Sequence, residues 1–339
     1  MMKELLAKCI EGETLSESQA EYVMNQIMTG HSTPSQIASL VSILRLRGET
    51  VEELVGFAKS MKSHMTSIDY DHEVVDTCGT GGDAASTFNI STAAAIVVSS
   101  LGVKVAKHGN RAISSKSGSA DVLEKLGISI QTTREDAKNS LTNYHMSFLF
   151  APLFHSSMKH AVTPRKEIGF RTVFNLLGPL SNPANAKRQV IGVFSTVYAE
   201  KMAYALAQLG SKHVMLVTGR DGLDELSITG ETDVVELKDG NLKKYVVRPE
   251  DIGLETGNLA DIQVANATES ADLIKAIFMN KAPQSAKDIV AINAGAALYV
   301  AGHAESLKDG TLLALKAIEN GTVYQQLMNL KELREENYA

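Results

Sequence analysis

Two polar segments of this chain carry the residue types that hold phosphate. The first runs from Asp76 to Thr92, DTCGTGGDAASTFNIST. Gly79, Gly81 and Gly82 allow backbone conformations that bring N–H groups close to an anion. A helix is expected to open near Asn89, Ser91 and Thr92. Its free N–H groups, its dipole and these short polar side chains suit a phosphate. A plain glycine turn followed by a good helix cap is the alternative, but the gathering of Thr80, Thr87, Ser91 and Thr92 favours a cradle. No Gly-Lys-Ser/Thr follows, so this is not a P-loop, and the glycines are wrongly spaced for a dinucleotide site. Asp83 would be costly beside phosphate unless it bonds backbone N–H, a sugar hydroxyl or a metal. The last two options point to a sugar phosphate or a metal–phosphate complex.

The second segment, KHGNRAISSKSGSAD, follows an expected strand at Val103–Ala106. Lys107, His108, Arg111 and Lys116 crowd together in a chain of net charge −6. A solvated basic loop would not need Ser114, Ser115, Ser117 and Ser119 among its cations, whereas a pyrophosphate site would. On this reading Lys107 is a loop cation away from the core, removable without harm to the fold. His108 is either a general base or a hydrogen-bonded wall residue. Asn110, with no backbone role evident, could read an amide, amine or carboxylate.

Two further features add to these. Asp224 and Glu225 are adjacent carboxylates in GRDGLDELS, near Asp221. Alone they read as a surface turn. Beside phosphate loops they suit magnesium, which is commonly held on pyrophosphate by one or two carboxylates and several waters. Arg165 follows Pro164, in a turn or at a helix start. Its planar fork suits a carboxylate, and an internal salt bridge to Glu167 or elsewhere is equally open.

The elements that must position these residues are of two kinds. Residues 1–72 read as helices. Ser16 with Gln19, Thr33 with Gln36 and Thr50 with Glu53 are capping pairs. They precede the apolar stripes Ala20–Val23–Met24–Ile27–Met28, Ile37–Leu40–Val41–Leu44 and Leu54–Val55–Ala58–Met61. No catalytic side chain stands in this unit, whose role is packing or dimer contact. From residue 73 onward, short β-branched runs alternate with helical stretches. Strands are expected at Val74–Val75, Val103–Ala106, Met146–Phe150, Val190–Phe194, Val214–Thr218 and Val234–Leu237, with helices at Ser91–Leu101, Ala120–Leu126 and through most of the chain after Ala271. This is an α/β pattern, a mainly parallel sheet with helices on both faces, and ligands in such sheets bind at the carboxyl ends of the strands. Part of 155–188, without a clear strand, is expected to join the helical unit and help form a cleft.

Composition sets the outer bounds. The chain has 339 residues, 44% of them apolar and 21% charged, ordinary for a globular protein of two unequal units. No apolar run reaches the roughly 18 residues of a spanning helix. The N-terminus turns charged too soon for a secretory signal. These features fit a cytoplasmic protein with no membrane partner. The net negative charge argues against broad nucleic-acid binding. Cys9 and Cys78 form neither a metal-ligand nor a redox spacing.

Taken together, Asp76–Asp83, Asn89–Thr92, Lys107–Asp121, Gly169–Ala184 (GFRTVFNLLGPLSNPA) and Gly222–Ser227 resemble the anthranilate phosphoribosyltransferase family, in its order and spacing, over nearly the whole chain. The resemblance implies a small helical domain, a larger phosphoribosyltransferase-like α/β domain and a homodimer through the helical part. It implies transfer of a phosphoribosyl group from 5-phosphoribosyl 1-pyrophosphate to the amine of anthranilate, in tryptophan biosynthesis. Donor contacts would come from Gly79, Gly82, Asp83, Thr87, Asn89, Ile90, Ser91, Thr92, Lys107 and Ser119. The loop formed by His108, Gly109, Asn110, Arg111, Ala112, Ile113, Ser114 and Ser115 would close over the donor. Ser91, Asp224 and Glu225 would serve magnesium, with two ions expected. Asn110 and Arg165 would bind anthranilate, with Gly79 at the edge of that site and His108 lining its channel. Ala112 and Thr163–Pro164 depart from the usual family pattern, which bears only on the channel's shape. No strong protein base is expected, because an aromatic amine is a nucleophile in its neutral form. The rival readings are a pyrimidine nucleoside phosphorylase of related fold, against which the Asp224–Glu225 pair and KHGNR speak, and a non-catalytic ligand-binding relative.

Overall fold

The computed structural model describes residues 1–81, 85–112 and 117–336, with side chains to Glu332. Four helices come first: α1 (Met2–Ile10), α2 (Glu17–Met28), α3 (Pro34–Arg47) and α4 (Val51–His64). All three expected capping pairs close as reciprocal boxes. Ser16 Oγ accepts from Gln19 N at 3.3 Å while Ser16 N donates to Gln19 Oε1 at 3.0 Å, and the same exchange joins Thr33 to Gln36 and Thr50 to Glu53. Each cap satisfies backbone donors that the first turn leaves open, a contribution of about 1 kcal/mol. Glu53 does more than cap. Fully buried, its carboxylate also accepts from Leu15 N and Arg47, so one residue ties α4 to two earlier segments. The apolar stripes are buried at every position read from the sequence.

The sheet domain alternates from there. The order is β1 (Val75–Gly79), α5 (Ile90–Ser100), β2 (Val105–Gly109), α6 (Ser119–Leu126), α7 (Arg134–Tyr144), β3 (Met146–Phe150), the short α8 (Ala151–Phe154), α9 (Lys159–Ile168), α10 (Val173–Leu180), β4 (Arg188–Gly192), α11 (Thr196–Gln208), β5 (His213–Gly219), β6 (Thr232–Lys238) and β7 (Asn241–Val247). It continues with α12 (Ala267–Phe278), α13 (Gln284–Val300), α14 (Leu307–Glu319) and α15 (Thr322–Glu336). The strands lie in the order β3-β2-β1-β4-β5-β6-β7. Pairs from β3 through β5 are parallel, and β6 and β7 add an antiparallel edge. From β1 the chain winds one way to β2 and β3, then returns to lay β4 on the other side of β1. The β1–β4 seam is therefore the topological switch point, where a crevice opens at the carboxyl ends. Helix α5, apolar almost throughout, is buried along its length and packs on α13.

The segment at 155–188 forms α9 and α10, which pack on α2, α3 and α4. Ala161, Val173, Phe174, Leu176 and Leu177 share one apolar core with those helices and with one face of the sheet.

Several strand bounds need correction, and the strand expected at Val190–Phe194 lies at Arg188–Gly192. The first strand extends to Gly79 and the second to Gly109, so Asp76, Lys107 and His108 are strand residues, not loop residues. Lys107 is 1% exposed, the opposite of a loop cation away from the core. A charged residue can sit in a buried strand only when paired and hydrogen-bonded, and the site below shows how that is met.

Candidate active site

The carboxyl ends of β1, β2 and β4 meet at the switch point. Lys107 on β2 turns its Nζ across to β1, donating to Thr77 O at 2.5 Å and to Ser91 Oγ at 3.1 Å. Ser91 stands in the first turn of α5, whose N-cap Asn89 accepts from Thr92 N at 3.1 Å. A positive charge thus lies beneath the N-terminus of a helix, two features that both attract an anion. Burial pushes the Lys107 ammonium down, and the neighbouring Asp76, Cys78 and Glu225 oppose that shift.

Asp76, fully buried on β1, bears on Lys107 through its charge rather than through a direct ion pair. Its Oδ1 accepts from His108 N at 3.0 Å and its Oδ2 from Asn182 Nδ2 at 2.8 Å; the same Asn182 amide donates to Ala106 O at 2.9 Å. Burial raises the Asp76 carboxyl, and Asn182, Lys107 and His108 N pull it back. Asn182 and Asp76 were not assigned functional roles from the sequence. Their signal was present, a charge inside each of two neighbouring strands, but its partner lies far along the chain.

The acidic pair comes to the first loop. Asp224 Oδ2 accepts from Gly81 N at 2.9 Å. Glycines at the ends of β1 and β4 make room for it. Gly79 and Gly192 are register partners. A Cβ on Gly192 would lie 1.6 Å from Asp224 O, and one on Gly79 would lie 2.8 Å from Asp224 Oδ2. Asp224 and Glu225 are half-buried, and the Glu225 charge reaches Lys107. The set of hydroxyl and carboxylate oxygens suits a hard cation such as magnesium. Among the described residues there is no group of three or more His, Cys, Asp or Glu placed to hold a metal, so such an ion would need oxygens from a ligand or water as well.

Other expected donor contacts spread around this centre. Thr87 bridges to Gln263, which anchors the entry to α5 against a later segment. Ile90 and Thr92 are buried. Ser119, at the start of α6, donates to Asn110 O at 3.1 Å, and Asn110 Oδ1 accepts from Arg111 N at 2.8 Å. Asn110 therefore does have a backbone role, in folding its own turn. Arg111 is engaged by Asp121 at 2.8 Å and Glu124 at 2.7 Å and lies 5.7 Å from the Phe150 ring centre. Ala112 N donates to Asp121 as well. Gly82, Asp83, Ile113, Ser114 and Ser115 lie outside the described residues.

A second wall faces this one. Arg165 lies near the end of α9, with Pro164 inside that helix, so it is at neither a turn nor a helix start. Its guanidinium sits 5.1 Å from the ring centre of Phe174 on α10. Among the described residues it has no ion-pair partner, Glu167 included, and burial alone lowers its pKa. His108 and His155 pack against each other at a tilt of 43°, with ring centres 5.0 Å apart. His108 Nδ1 is 3.2 Å from Gly178 O, and the Nε2 of each ring is buried without a partner among the described residues. Burial, with the other imidazole nearby, holds His108 down to about 3; burial holds His155 down to about 4. Both rings are neutral walls at physiological pH. Cys78 is likewise unreactive, since burial and then Asp76 push its thiol well up.

Fold and site together define a two-domain glycosyl transferase. Residues 3–65 match the helical bundle domain of the glycosyl transferase family, and residues 71–324 match its a/b domain. A protein of Geobacillus kaustophilus named anthranilate phosphoribosyltransferase is 63% identical over 331 residues, 98% of each chain, and one of Bacillus subtilis is 58% identical over 338 residues, all of each chain. The crystal structure of anthranilate phosphoribosyltransferase from Thermus thermophilus superposes with a TM-score of 0.91 at 39% identity, covering 97% of this chain and 99% of that one. The Saccharomyces cerevisiae enzyme in complex with PRPP and Mg gives 0.88 at 26% identity, covering 99% and 98%. Within the class, this chain belongs to the anthranilate phosphoribosyltransferase family.

Proposed function

We propose that the chain transfers the phosphoribosyl group of 5-phosphoribosyl 1-pyrophosphate to the amine of anthranilate, giving N-(5-phosphoribosyl)anthranilate and pyrophosphate. The observation that carries this is the buried Lys107 beneath Ser91 and the α5 N-terminus, with Asp224 bonded to Gly81 at the same switch point. That arrangement is built for a polyanion. The yeast relatives in complex with PRPP and Mg and with 4-fluoroanthranilate support the two substrates.

The donor lies at the strand ends, against Gly79, Thr87, Asn89, Ser91, Thr92 and Ser119, and Lys107 is the fixed charge that steadies it as pyrophosphate departs. Ser91, Asp224 and Glu225 would hold magnesium, two ions on this reading, which when bound would neutralise charge on the leaving pyrophosphate. Arg165 offers its unpaired fork to the anthranilate carboxylate, and Asn110 reads the amine edge from the opposite wall. His108 and His155 line the passage as neutral rings, too weakly basic to take a proton, so the aromatic amine attacks on its own nucleophilicity. The enzyme's work is positioning and electrostatics. The helical unit, 1–72 with part of 155–188, is proposed as the dimer contact, and the cytoplasm as the compartment.

A single-turnover assay with both substrates tests the activity. Product formation supports it; cleavage of thymidine or uridine by phosphate without magnesium would favour a nucleoside phosphorylase instead. The metal assignment is tested by Asp224→Ala with Glu225→Ala. Turnover is expected to fall by about 10²- to 10³-fold, the scale of a lost electrostatic stabiliser, with a weakened magnesium dependence. A magnesium titration unchanged in the double variant overturns the assignment.

A further inference from the structure

At the other end of the sheet, where β4 begins, cations outnumber carboxylates. Glu73 takes both Arg188, at 2.8 Å, and Lys212. Lys62 and Lys187 are left with no carboxylate partner among the described residues. Lys62 belongs to the last turn of α4 in the helical unit, and Lys187 immediately precedes β4. Both line one shallow surface cleft, open to solvent, together with Asn185 and Ser211.

The bonds these lysines do make are to neutral groups. Lys62 Nζ donates to Asn185 Oδ1 at 2.8 Å, and Lys187 Nζ donates to Leu209 O at 2.8 Å, just past the end of α11. The negative ends of α4 and α11 explain why a cation is tolerated at each place, but a helix terminus offers only about half a charge. The surplus is visible in Lys62, which burial and then Lys187 lower to about 8. Two like charges stripped of part of their water destabilise a fold unless an anion joins them. Asn185 Nδ2 and Ser211 Oγ, on the same cleft, make no other hydrogen bond among the described residues and add two neutral donors.

We propose that Lys62, Lys187, Asn185 and Ser211 form an oxyanion site, separate from the strand-end site, that takes a phosphate or phosphoryl group. Because Lys62 comes from the helical unit and Lys187 from the chain entering the sheet, the bound anion clamps the two units together. The site does not depend on the proposed transferase activity, and its test does not either.

The test is calorimetric titration of the full chain with inorganic phosphate, in a buffer free of other oxyanions. Wild type is compared with Lys62→Met, Lys62→Arg and Lys62→Met with Lys187→Met. In the wild type, phosphate is expected to bind here as well as at the strand ends. The methionine variants should lose the first component, with affinity falling tenfold or more, while Lys62→Arg retains it and transferase kcat/KM is preserved in all. Without phosphate, Lys62→Met should melt no lower than wild type, because it removes a repelled, desolvated charge. Ribose 5-phosphate titrated in parallel separates the ligand sources: if its binding weakens alongside, the phosphoryl group is recognised, and if not, the free ion is. Identical isotherms in wild type and the methionine variants overturn the proposal. So does a lowered melting temperature of Lys62→Met in phosphate-free buffer, which would make Lys62 a structural hydrogen-bond donor to Asn185.

Discussion

The two walls of the strand-end cleft hold their cations in opposite ways. On the sheet side, Lys107 is buried within a closed set of partners: Thr77 O, Ser91 Oγ and the charge of Asp76, itself held by His108 N and Asn182. On the helical side, Arg165 is half-buried with only the Phe174 ring against it and no carboxylate among the described residues. The first cation is part of the fold's own electrostatic balance; the second has only an aromatic ring to offset its burial among the described residues. The difference teaches where function and stability can be separated. A group satisfied by the protein cannot be removed without unfolding costs, whereas a group left unsatisfied is held at the fold's expense and serves only what binds to it.

The largest effect should follow from removing the satisfied cation. Lys107→Ala removes the buried donor to Thr77 O and Ser91 Oγ and the positive charge that favours the ionised form of the buried Asp76. Buried polar groups left without a partner cost about 1–3 kcal/mol each, a sizeable share of a typical domain's stability. Urea denaturation of wild type and variant measures it. A midpoint unchanged by the substitution would erase the contrast between the walls, for Lys107 would then be as dispensable to the fold as Arg165.

That expectation reverses the one the sequence alone supports, and the reversal shows what is legible in a linear chain. Local signals were read well. The capping boxes at Ser16, Thr33 and Thr50 and the stripe of each helix depend on residues three or four apart, and the strand Met146–Phe150, apolar but for Ser147, is found at those bounds. Strand ends were misread wherever a polar residue is satisfied from afar. Asp76 looks like a loop residue until Asn182, 106 positions away, donates to it. The β6–β7 hairpin was missed although Asp239-Gly240, with φ of 48° and 81°, is the expected type of two-residue turn between alternating strands. Of the candidate site, the two segments rich in glycine, hydroxyl and basic residues and the acidic pair stand out in the sequence because their composition is unusual, and the fold brings Gly81 of the first to Asp224. His155 and Gly192 were not, since a lone histidine and a strand-end glycine mean little until tertiary packing brings them to His108 and Asp224.

A smaller effect belongs to the seam between the walls. His108 and His155 bind protons in the folded chain only near pH 3 and 4, against about 6.5 when unfolded. Between those values the unfolded chain holds more protons, so stability rises with pH there. The contribution is complete above about pH 6.5 and is lost as pH falls through the folded values. Denaturation midpoints measured from pH 7 to pH 4 should fall less steeply in His108→Gln with His155→Gln than in wild type. In the same pH range above 6, kcat should show no limb assignable to a histidine. A variant with the wild-type slope would mean that both rings find water or charge in solution, and that the seam is wetter than its burial indicates.

The smallest effect on the fold, and the most selective on function, should come from the unsatisfied cation. Arg165→Ala removes a guanidinium that burial already disfavours, so the melting temperature should stay near that of wild type or rise slightly, within the ±0.5 kcal/mol typical of substitutions away from packed or paired groups. What the change deletes is a bidentate donor for a carboxylate. A hydrogen bond to a charged group is worth about 1.5–3 kcal/mol, so the KM for anthranilate should rise roughly tenfold to a hundredfold, with the KM for the donor little changed. Arg165→Lys should recover only part of the loss, because a point charge on a flexible stem reproduces neither the fork nor the stacking on Phe174. The measurement is a pair of saturation curves, each varying one substrate with the other saturating, alongside a melting curve. A defect mainly in the donor curve would make Arg165 a phosphate-binding residue and move the acceptor site elsewhere. A large fall in melting temperature would show that Arg165, like Lys107, is balanced by the protein itself, and the two walls would no longer differ.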